Sequence, residues 1–548
     1  GLLGYPLVVE RVLPLRAQAE WWTFGYLLFA TATVVGALLV GSWRPSAPTA
    51  TEPVGRPALT RRFRWAAIAF VPSLALLGVT RHLSTDVAAF PLMWTIPLAI
   101  YLLSFVITFR AGGEAWTALA ARSLRILVVP VALIGMILTA ELWASVSLPL
   151  LLLLTLSVAA HGRVYADRPE SEWLTDFYLW VSVGGAAGGL FASIIAPSLF
   201  DSVVEFPIAV VLAALFVGPP LRRRISRPWL VLGMALALTG SGLFVGDLRG
   251  RIVVFGLAGV LGVLWLNRRL LAMVIAAIAL LLPLAGSSPV VASERTFFGV
   301  YRVHEDGQLH TLMNGTTSHG TQRFEDGVGD LEPLGYYHPD GPVGDVMRTM
   351  QASHSSLDVG VVGLGVGSTA GYGRTGDRFT FYEIDQAVET VAEDTRYFTY
   401  LTGSPADVAV VIGDGRLQLE ARRPHHDLLM IDAFTSDSIP VHLLTVEAVR
   451  TYLASLAPGG ELLIHVSNRH LDLAPIVGRI ANELGATARI DRYSPGLEAP
   501  LAAPSSWIVL DPDPSVRLQL PDDWKPLPGN APLWTDDYSN VLSVIDWG

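Results

Sequence analysis

The chain of 548 residues has a hydrophobic fraction of 51% and a charged fraction of 16%, and its mean hydropathy of +0.46 does not fit an ordinary soluble protein. Its formal net charge of −10 argues against a nucleic-acid partner, which would need a basic surface. The chain has no cysteine, so disulfides, thiol nucleophiles and thiolate metal sites are excluded, and we expect no metal.

Apolar stretches of roughly 17–23 residues recur along the first half of the chain, the length that an α-helix needs to cross a bilayer. We predict a transmembrane helical domain over residues 1–288, with the lipid bilayer as a partner and a multi-pass location in the inner cell membrane. The chain begins with Gly1 inside an apolar run, so we expect the start of a span to be missing. The predicted spans, about ten, are 21–43, 64–81, 88–109, 125–143, 145–162, 174–197, 203–219, 228–246, 251–266 and 270–287.

One set of alternate loops between these spans holds most of the arginine, for example Arg61, Arg62, Arg223 and Arg224. Short loops rich in arginine favour the cytoplasmic side of a membrane, so we expect these loops there. With about ten spans the C-terminal domain would then lie outside the cell, whereas a miscount by one span would reverse its side. The sequence leaves open which side of the membrane this domain faces.

The character of the chain changes after about residue 289, where charges and glycines increase and apolar stretches shrink to strand length. Residues 289–350 predict a small β-rich part, with a hairpin turn at Asp306-Gly307. Over residues 351–548, alternating strands and helices predict a doubly wound, mainly parallel sheet, as in a Rossmann-like α/β domain. The predicted strands are 358–363, 379–384, 407–412, 427–432 and 461–467, with helices near 386–395 and 444–457.

A glycine-rich loop follows the first of these strands and contains Gly363, Gly365 and Gly367. Glycines let a nucleotide approach the backbone, and Glu383, at the end of the next strand, can accept hydrogen bonds from ribose hydroxyls. This order predicts a nucleotide site, although dinucleotide enzymes share the spacing. Asp414-Gly415 follows the third strand. Its carboxylate and the adjoining backbone could bind an adenine amino group, and the alternative is an ordinary Asp-Gly turn.

Further carboxylates follow towards the C-terminus. Asp432 ends a strand at the carboxyl edge of the predicted sheet, where open α/β sheets bind ligands, so it is a candidate to act on a substrate. Asp437 is a second catalytic candidate, with a solvated turn or helix cap as the alternative. Asp536 and Asp537 lie between two aromatic residues and suit either an amine-bearing ligand or a surface turn.

Together these residues resemble the spermidine synthase (polyamine aminopropyltransferase) family, in its membrane-fused branch, over about residues 296–548. In that family a β-rich part precedes a Rossmann-like domain. The matching stretch here runs from Asn314 through His319 to Gln322, and Tyr336-Tyr337-His338-Pro339 follows it.

The resemblance implies an activity and roles for individual residues. An aminopropyl group would pass from decarboxylated S-adenosylmethionine to a polyamine such as putrescine, leaving methylthioadenosine. Gln322 would contact the nucleotide, Glu383 its ribose and Asp414 its adenine side, while Asp432 would help to deprotonate the attacking amine. The residues implied to bind the substrate are His319, Tyr337, Asp536 and Asp537.

Three positions depart from the family pattern. The family motif GGGDG carries an aspartate for the aminopropyl ammonium, and Val366 stands at that position here. The family motif DSSDP places two acids three residues apart, whereas Asp437 comes five residues after Asp432. Thr321 stands where the family has a tyrosine. Nucleotide binding is therefore better supported than polyamine synthesis.

Two other functions stay open. The first is methyl transfer from, or lysis of, S-adenosylmethionine itself, because the loss of the acid at Val366 removes repulsion against the carboxylate of that nucleotide. The second is a polyamine transporter or sensor whose nucleotide-binding domain gates the spans. A homodimer is also left open.

Overall fold

A computed structural model describes residues 4–41, 55–84, 94–136, 142–216, 269, 272–273, 275–276, 289–315, 317–433, 440–468, 471–513 and 517–545. The chain divides into two compact units, Gly36–Ser287 in one and Ser288–Gly548 with Leu3–Val35 in the other. In the described residues the first unit is helical, and the second contains the strands.

Five helices within the described residues are long and apolar enough to cross a membrane: Leu15–Leu39, Leu59–His82, Gly113–Ala132, Ala144–Ala166 and Ser171–Leu199. Two further apolar helices are shorter, Thr95–Thr108 with 14 residues and Glu205–Phe216 with 12. Each of the first seven predicted spans overlaps one of these helices. The last three, 228–246, 251–266 and 270–287, lie outside the described residues apart from isolated positions near 275.

The chain after Ser288 begins with a small antiparallel sheet. Its strands lie in the order β1-β2-β3-β4-β5, and the predicted hairpin joins β2 and β3 through Gly307, whose φ is +61°. The predicted β-rich part extends too far, because Pro342–Ser353 is a helix with Pro342 in its first turn and Val346, Met347 and Met350 buried. The strands are β1 Val290–Arg295, β2 Val300–Asp306, β3 Leu309–Asn314, β4 Thr317–Glu325 and β5 Val328–Gly329.

The second sheet contains eight strands among the described residues, in the order β13-β11-β12-β10-β9-β6-β7-β8. Strands β10, β9, β6, β7 and β8 pair with one another in parallel, whereas the pairs β10–β12, β12–β11 and β11–β13 are antiparallel. The strands are β6 Asp358–Val362, β7 Arg378–Glu383, β8 Asp407–Ile412, β9 His426–Ile431, β10 Leu456–His465, β11 Thr487–Tyr493, β12 Ser505–Asp511 and β13 Lys525–Pro526.

This sheet is the mainly parallel sheet that the sequence predicts. Strands β6 and β9 are buried along almost their whole length, as expected for parallel strands covered on both faces. The strand order reverses at β6, which lies between β7 and β9. Because the five parallel strands run in one direction, their carboxyl ends meet at a single edge, so the residues that follow them come together there.

A polar cluster is buried where β10, β11 and β12 pair. Glu461, Arg489 and Asp511 are all buried, and Arg489 Nη2 lies 3.0 and 3.1 Å from the two carboxylate oxygens of Asp511. One guanidinium thus faces two carboxyl groups. Burial, followed by the charge of Asp511 and a hydrogen bond to it, raises the pKa of Glu461 to about 9. Glu461 therefore holds a proton at neutral pH.

Candidate active site

A cavity of about 230 Å³ lies at the carboxyl edge of the parallel strands. It is bounded by the residues that follow β6, β7, β8 and β9, and by residues from the small sheet and the segment after it. Ligands of open α/β sheets bind at this edge, where the strand order reverses. Among the residues that line the cavity, those that the sequence predicts are Gly363, Gly365, Glu383, Asp414, Gly415, Asp432, His319 and Tyr337.

Two of the positions at which the loop after β6 lines the cavity can contain only glycine. Gly363 has a φ of +104°, and a Cβ there would lie 2.3 Å from the carbonyl oxygen of Asp432. Gly365 has a φ of +55°, and a Cβ there would lie 2.3 Å from the carbonyl oxygen of His319. Any side chain would combine backbone strain with a steric overlap. Gly367 begins the next turn and is not among the residues that line this cavity.

Glu383 ends β7 beside this loop. Its Oε1 accepts a hydrogen bond from the backbone N–H of Asp385 at 2.9 Å, and its Oε2 accepts one from Leu364 at 3.0 Å. Burial raises the pKa of Glu383, and these backbone hydrogen bonds oppose the rise because they favour the carboxylate. The carboxylate is thus fixed between the loop and the next helix, and it retains lone pairs for a ligand.

Asp414 follows β8 and caps the helix Gly415–Arg422. Its Oδ1 accepts a hydrogen bond from the backbone N–H of Leu417 at 3.0 Å, and its Oδ2 lies 3.2 Å from His442 Nε2. A Cβ on Gly415 would lie 2.5 Å from Val362, so the helix begins directly against β6. Helix capping accounts for one oxygen of Asp414, and the residue still lines the cavity.

Asp432 follows β9, and only 4% of its side chain is exposed. Tyr337 donates a hydrogen bond from its hydroxyl to Asp432 Oδ2. His465, the last residue of β10, has its Nδ1 2.6 Å from Asp432 Oδ1. Burial, followed by the charge of Asp432, raises the pKa of Tyr337 well above its usual value, so its hydroxyl remains a donor.

Gln322 lies on β4 but is not among the residues that line the cavity. Its Nε2 donates hydrogen bonds to the carbonyl oxygen of Asp330 at 2.9 Å and to Thr399 Oγ1 at 2.8 Å. Its Oε1 accepts a hydrogen bond from the backbone N–H of Thr399 at 2.7 Å. The side chain thus joins β4 to the segment before Tyr400, and its contact with a nucleotide stays a prediction.

The two acids near the C-terminus are also separate from the cavity lining. Asp536 forms a two-pronged ion pair with Arg416, at 2.8 and 2.6 Å, and this hydrogen bonding lowers the pKa of Asp536. Asp537 Oδ1 accepts a hydrogen bond from the backbone N–H of Arg16 at 2.9 Å. Both acids are thus paired with protein groups outside this cavity, and their contact with a substrate stays a prediction. Asp437 lies outside the described residues.

His465 and Tyr336 belong to the site, although the sequence analysis does not propose either as a site residue. The His465 ring stacks on Tyr336 at 4.9 Å on one side and on Trp507 at 4.4 Å on the other, and its Nδ1 faces Asp432. Its position offered a signal: it lies near the end of the predicted strand 461–467, whose carboxyl end belongs at the same edge as that of Asp432.

The fold and the cavity define a Rossmann-like α/β domain with a cavity at its switch point. No family model matches the chain. Over 88 residues the chain is 32% identical to a probable polyamine aminopropyl transferase from Bifidobacterium longum, and the match covers 16% of this chain and 18% of that protein.

Two solved structures are also similar. A probable spermidine synthase from Corynebacterium glutamicum is 18% identical, with a TM-score of 0.34, over 41% of this chain and 80% of that one. A spermidine synthase from Thermotoga maritima is 13% identical, with a TM-score of 0.31, over 46% and 84%. The predicted resemblance to polyamine aminopropyltransferases is confirmed, and it concerns less than a fifth of the length of the curated relative.

Proposed function

We propose that this chain is a membrane-bound aminopropyltransferase that moves an aminopropyl group from decarboxylated S-adenosylmethionine to a polyamine such as putrescine. The observation that carries the proposal is that Gly363, Glu383 and Asp432 line the same cavity. A loop that admits a nucleotide, an acid suited to ribose and an acid suited to an amine thus lie together. The similarity to a probable polyamine aminopropyl transferase supports the same choice.

The nucleotide would lie along the carboxyl edge of the sheet. Its ribose hydroxyls would donate to Glu383, whose carboxylate is already oriented by two backbone N–H groups. Its adenine would lie toward Asp414 and Gly415, and the sulfonium would then point toward Asp432. His319 and Tyr337, which line the same cavity, would contact the substrate.

The reaction is a substitution at carbon. The amine nitrogen forms a bond to the carbon next to the sulfonium, the carbon–sulfur bond breaks, and its electron pair neutralises sulfur to give methylthioadenosine. An alkylammonium has a pKa near 10, so the amine must first lose a proton near neutral pH. Asp432 would accept this proton, and general-base assistance of this kind contributes about 10²–10⁴-fold.

We propose an integral membrane location for the same chain. Five apolar helices among the described residues are long enough to span a bilayer, and Leu15–Leu39 has no buried residues in its most apolar window. The inner cell membrane is the proposed location, and the C-terminal domain is proposed to act on a small polyamine at the membrane surface.

A second candidate is methyl transfer from, or lysis of, S-adenosylmethionine itself. One observation favours it: Val366 is buried and is not among the residues that line the cavity, so the acid that holds the aminopropyl ammonium in related enzymes has no counterpart at this position. A carboxylate on the nucleotide would meet less repulsion there.

Mass spectrometry can separate these functions. The full-length protein, purified in detergent, is incubated with decarboxylated or intact S-adenosylmethionine, with and without putrescine or spermidine. Methylthioadenosine that forms only with the decarboxylated nucleotide and an amine supports the proposed transfer. S-Adenosylhomocysteine, or cleavage without an amine, supports the second candidate, and binding without turnover contradicts both and favours a transporter or sensor.

A further inference from the structure

Asp432 is one end of a chain of three hydrogen-bonded side chains. His465 Nδ1 lies 2.6 Å from Asp432 Oδ1, and His465 Nε2 lies 2.6 Å from Ser467 Oγ. The backbone N–H of Ser506 donates to the same Ser467 oxygen at 2.8 Å. An ionised carboxylate oxygen can only accept a hydrogen bond, so a neutral His465 bonded to the Asp432 carboxylate carries its proton on Nδ1. Its Nε2 then accepts a hydrogen bond from the hydroxyl of Ser467.

The imidazole is also held in its plane. The rings of Tyr336 and Trp507 stack on its two faces, with interplanar angles of 18° and 17°. The titratable groups that face this unit are Asp432, Tyr336 and Tyr337, and burial raises the pKa of both tyrosines well above its usual value. Only 8% of the His465 side chain is exposed. The ring can neither rotate nor tilt without losing these contacts.

The two oxygens of Asp432 therefore each receive a donor, one from Tyr337 and one from His465. A carboxylate oxygen has two lone pairs, so each keeps one for an amine in the cavity. We propose that His465 is the positioning residue of Asp432, held by Ser467 as the neutral Nδ1–H tautomer so that the carboxylate faces the amine. This role deepens the proposed function and rests on it.

Serine, histidine and aspartate in this order also form the triad of many hydrolases. The orientation of this chain decides against that role, because Asp432 lines the cavity and Ser467 is not among the residues that line it. The Ser467 oxygen is also bound to the backbone of β12. Asp432 therefore faces the cavity, and Ser467 lies on the opposite side of His465, at Nε2.

Two substitutions separate hydrogen bonding from ring packing. His465→Phe keeps a flat ring between Tyr336 and Trp507 but has no donor, whereas His465→Asn keeps a donor toward Asp432 but has no ring. We expect His465→Phe to lower kcat by about 10²-fold and His465→Asn to remain within roughly tenfold of the wild type, because the amide restores one hydrogen bond. The dissociation constant of methylthioadenosine, measured by calorimetry, should change by no more than about twofold in either variant, because neither substitution touches Glu383.

The split between kcat and KM gives a readout that packing would not move. Loss of the Nδ1–H donor to Asp432 should lower kcat, whereas the KM for the decarboxylated nucleotide should stay within about twofold of the wild-type value in both variants, because Glu383 and its backbone donors are unchanged. A variant that only loosens the packing of the site should raise this KM as well. His354→Asn, at the end of the helix Pro342–Ser353, is the matched control and should keep the wild-type kcat and KM.

The outcomes are distinct. Activity retained by His465→Phe and lost by His465→Asn would overturn the positioning role, as would a loss of activity in His465→Phe that lies in KM and not in kcat. Labelling of Ser467 by a fluorophosphonate would overturn it in favour of a nucleophilic serine. If the wild-type protein forms no methylthioadenosine from the decarboxylated nucleotide and an amine, the proposed function itself fails and this role fails with it.

Discussion

Replacing Glu461 by glutamine should make the stability of the C-terminal unit less dependent on pH. Glu461 is buried beside the Arg489–Asp511 ion pair, and its pKa is raised from 4.5 to about 9. In the unfolded chain the carboxyl group ionises near its ordinary pKa, so between these two values only the folded protein holds the proton. The stability from this group is complete below pH 4.5 and is lost as pH rises toward about 9.

The size of the effect follows from proton linkage. A difference of one bound proton changes the free energy of unfolding by about 1.4 kcal/mol per pH unit, so Glu461 should contribute a loss of about 2.7 kcal/mol between pH 6 and pH 8. For a domain of this size 1 kcal/mol corresponds to roughly 2–4 °C in Tm, which gives a decrease of about 5–10 °C. Glutamine has nearly the same shape and cannot ionise, so Glu461→Gln should remove this decrease.

The assay is thermal melting of the full-length protein in detergent at pH 6, 7 and 8, followed by tryptophan fluorescence. Other titrating groups, including Asp491 with a pKa raised to about 6 by burial, affect the wild type and Glu461→Gln equally. The difference between the two slopes of Tm against pH therefore isolates the contribution of Glu461. Glu420→Gln, on the exposed face of the helix Gly415–Arg422, is the control and should keep the wild-type slope. Parallel curves of Tm against pH for the wild type and Glu461→Gln would refute the explanation that the folded protein holds a proton on Glu461.

Three further outcomes test the candidate site. Asp432→Asn should abolish amine-dependent release of methylthioadenosine while nucleotide affinity stays within about twofold; unchanged turnover would remove Asp432 from the mechanism. Glu383→Gln should weaken methylthioadenosine binding in calorimetry by roughly ten- to a hundredfold, since a hydrogen bond to a charged group contributes about 1.5–3 kcal/mol. Gly363→Ala should also weaken nucleotide binding by roughly tenfold or more, because alanine at a positive φ costs about 1–2 kcal/mol and its Cβ would overlap the backbone of Asp432. Gly376→Ala is its control, with a φ of +97° but no heavy atom closer than 3.9 Å to the added Cβ, and should leave binding unchanged.

The sheet could be predicted from the sequence because its strands obey simple rules. Buried parallel strands are continuous apolar runs, and turn residues bound them, so β6 to β9 fall within one or two residues of the prediction. The edge position of Glu383, Asp414 and Asp432 follows from their place after such strands. The helix Pro342–Ser353 was missed, since its apolar side is short and the segment carries glycine and proline that also suit turns.

Long-range pairing could not be predicted in the same way. Asp536 bonds Arg416, which is 120 residues away, and Gln322 bonds Thr399, which is 77 residues away. Whether a polar side chain faces a ligand or another part of the protein depends on such contacts, and a motif does not contain them. His465 illustrates the opposite error, because a residue without a motif contacts the central acid of the site.

The close approach of Gly363 to the backbone of Asp432 has a consequence for protein engineering. The loop that would hold the nucleotide and the acid that would activate the amine share a van der Waals surface, so neither can be redesigned alone. Libraries that vary the loop to accept other sulfonium donors should vary the end of β9 at the same time. A loop substitution that abolishes activity alone could then be tolerated together with a second substitution at the end of β9.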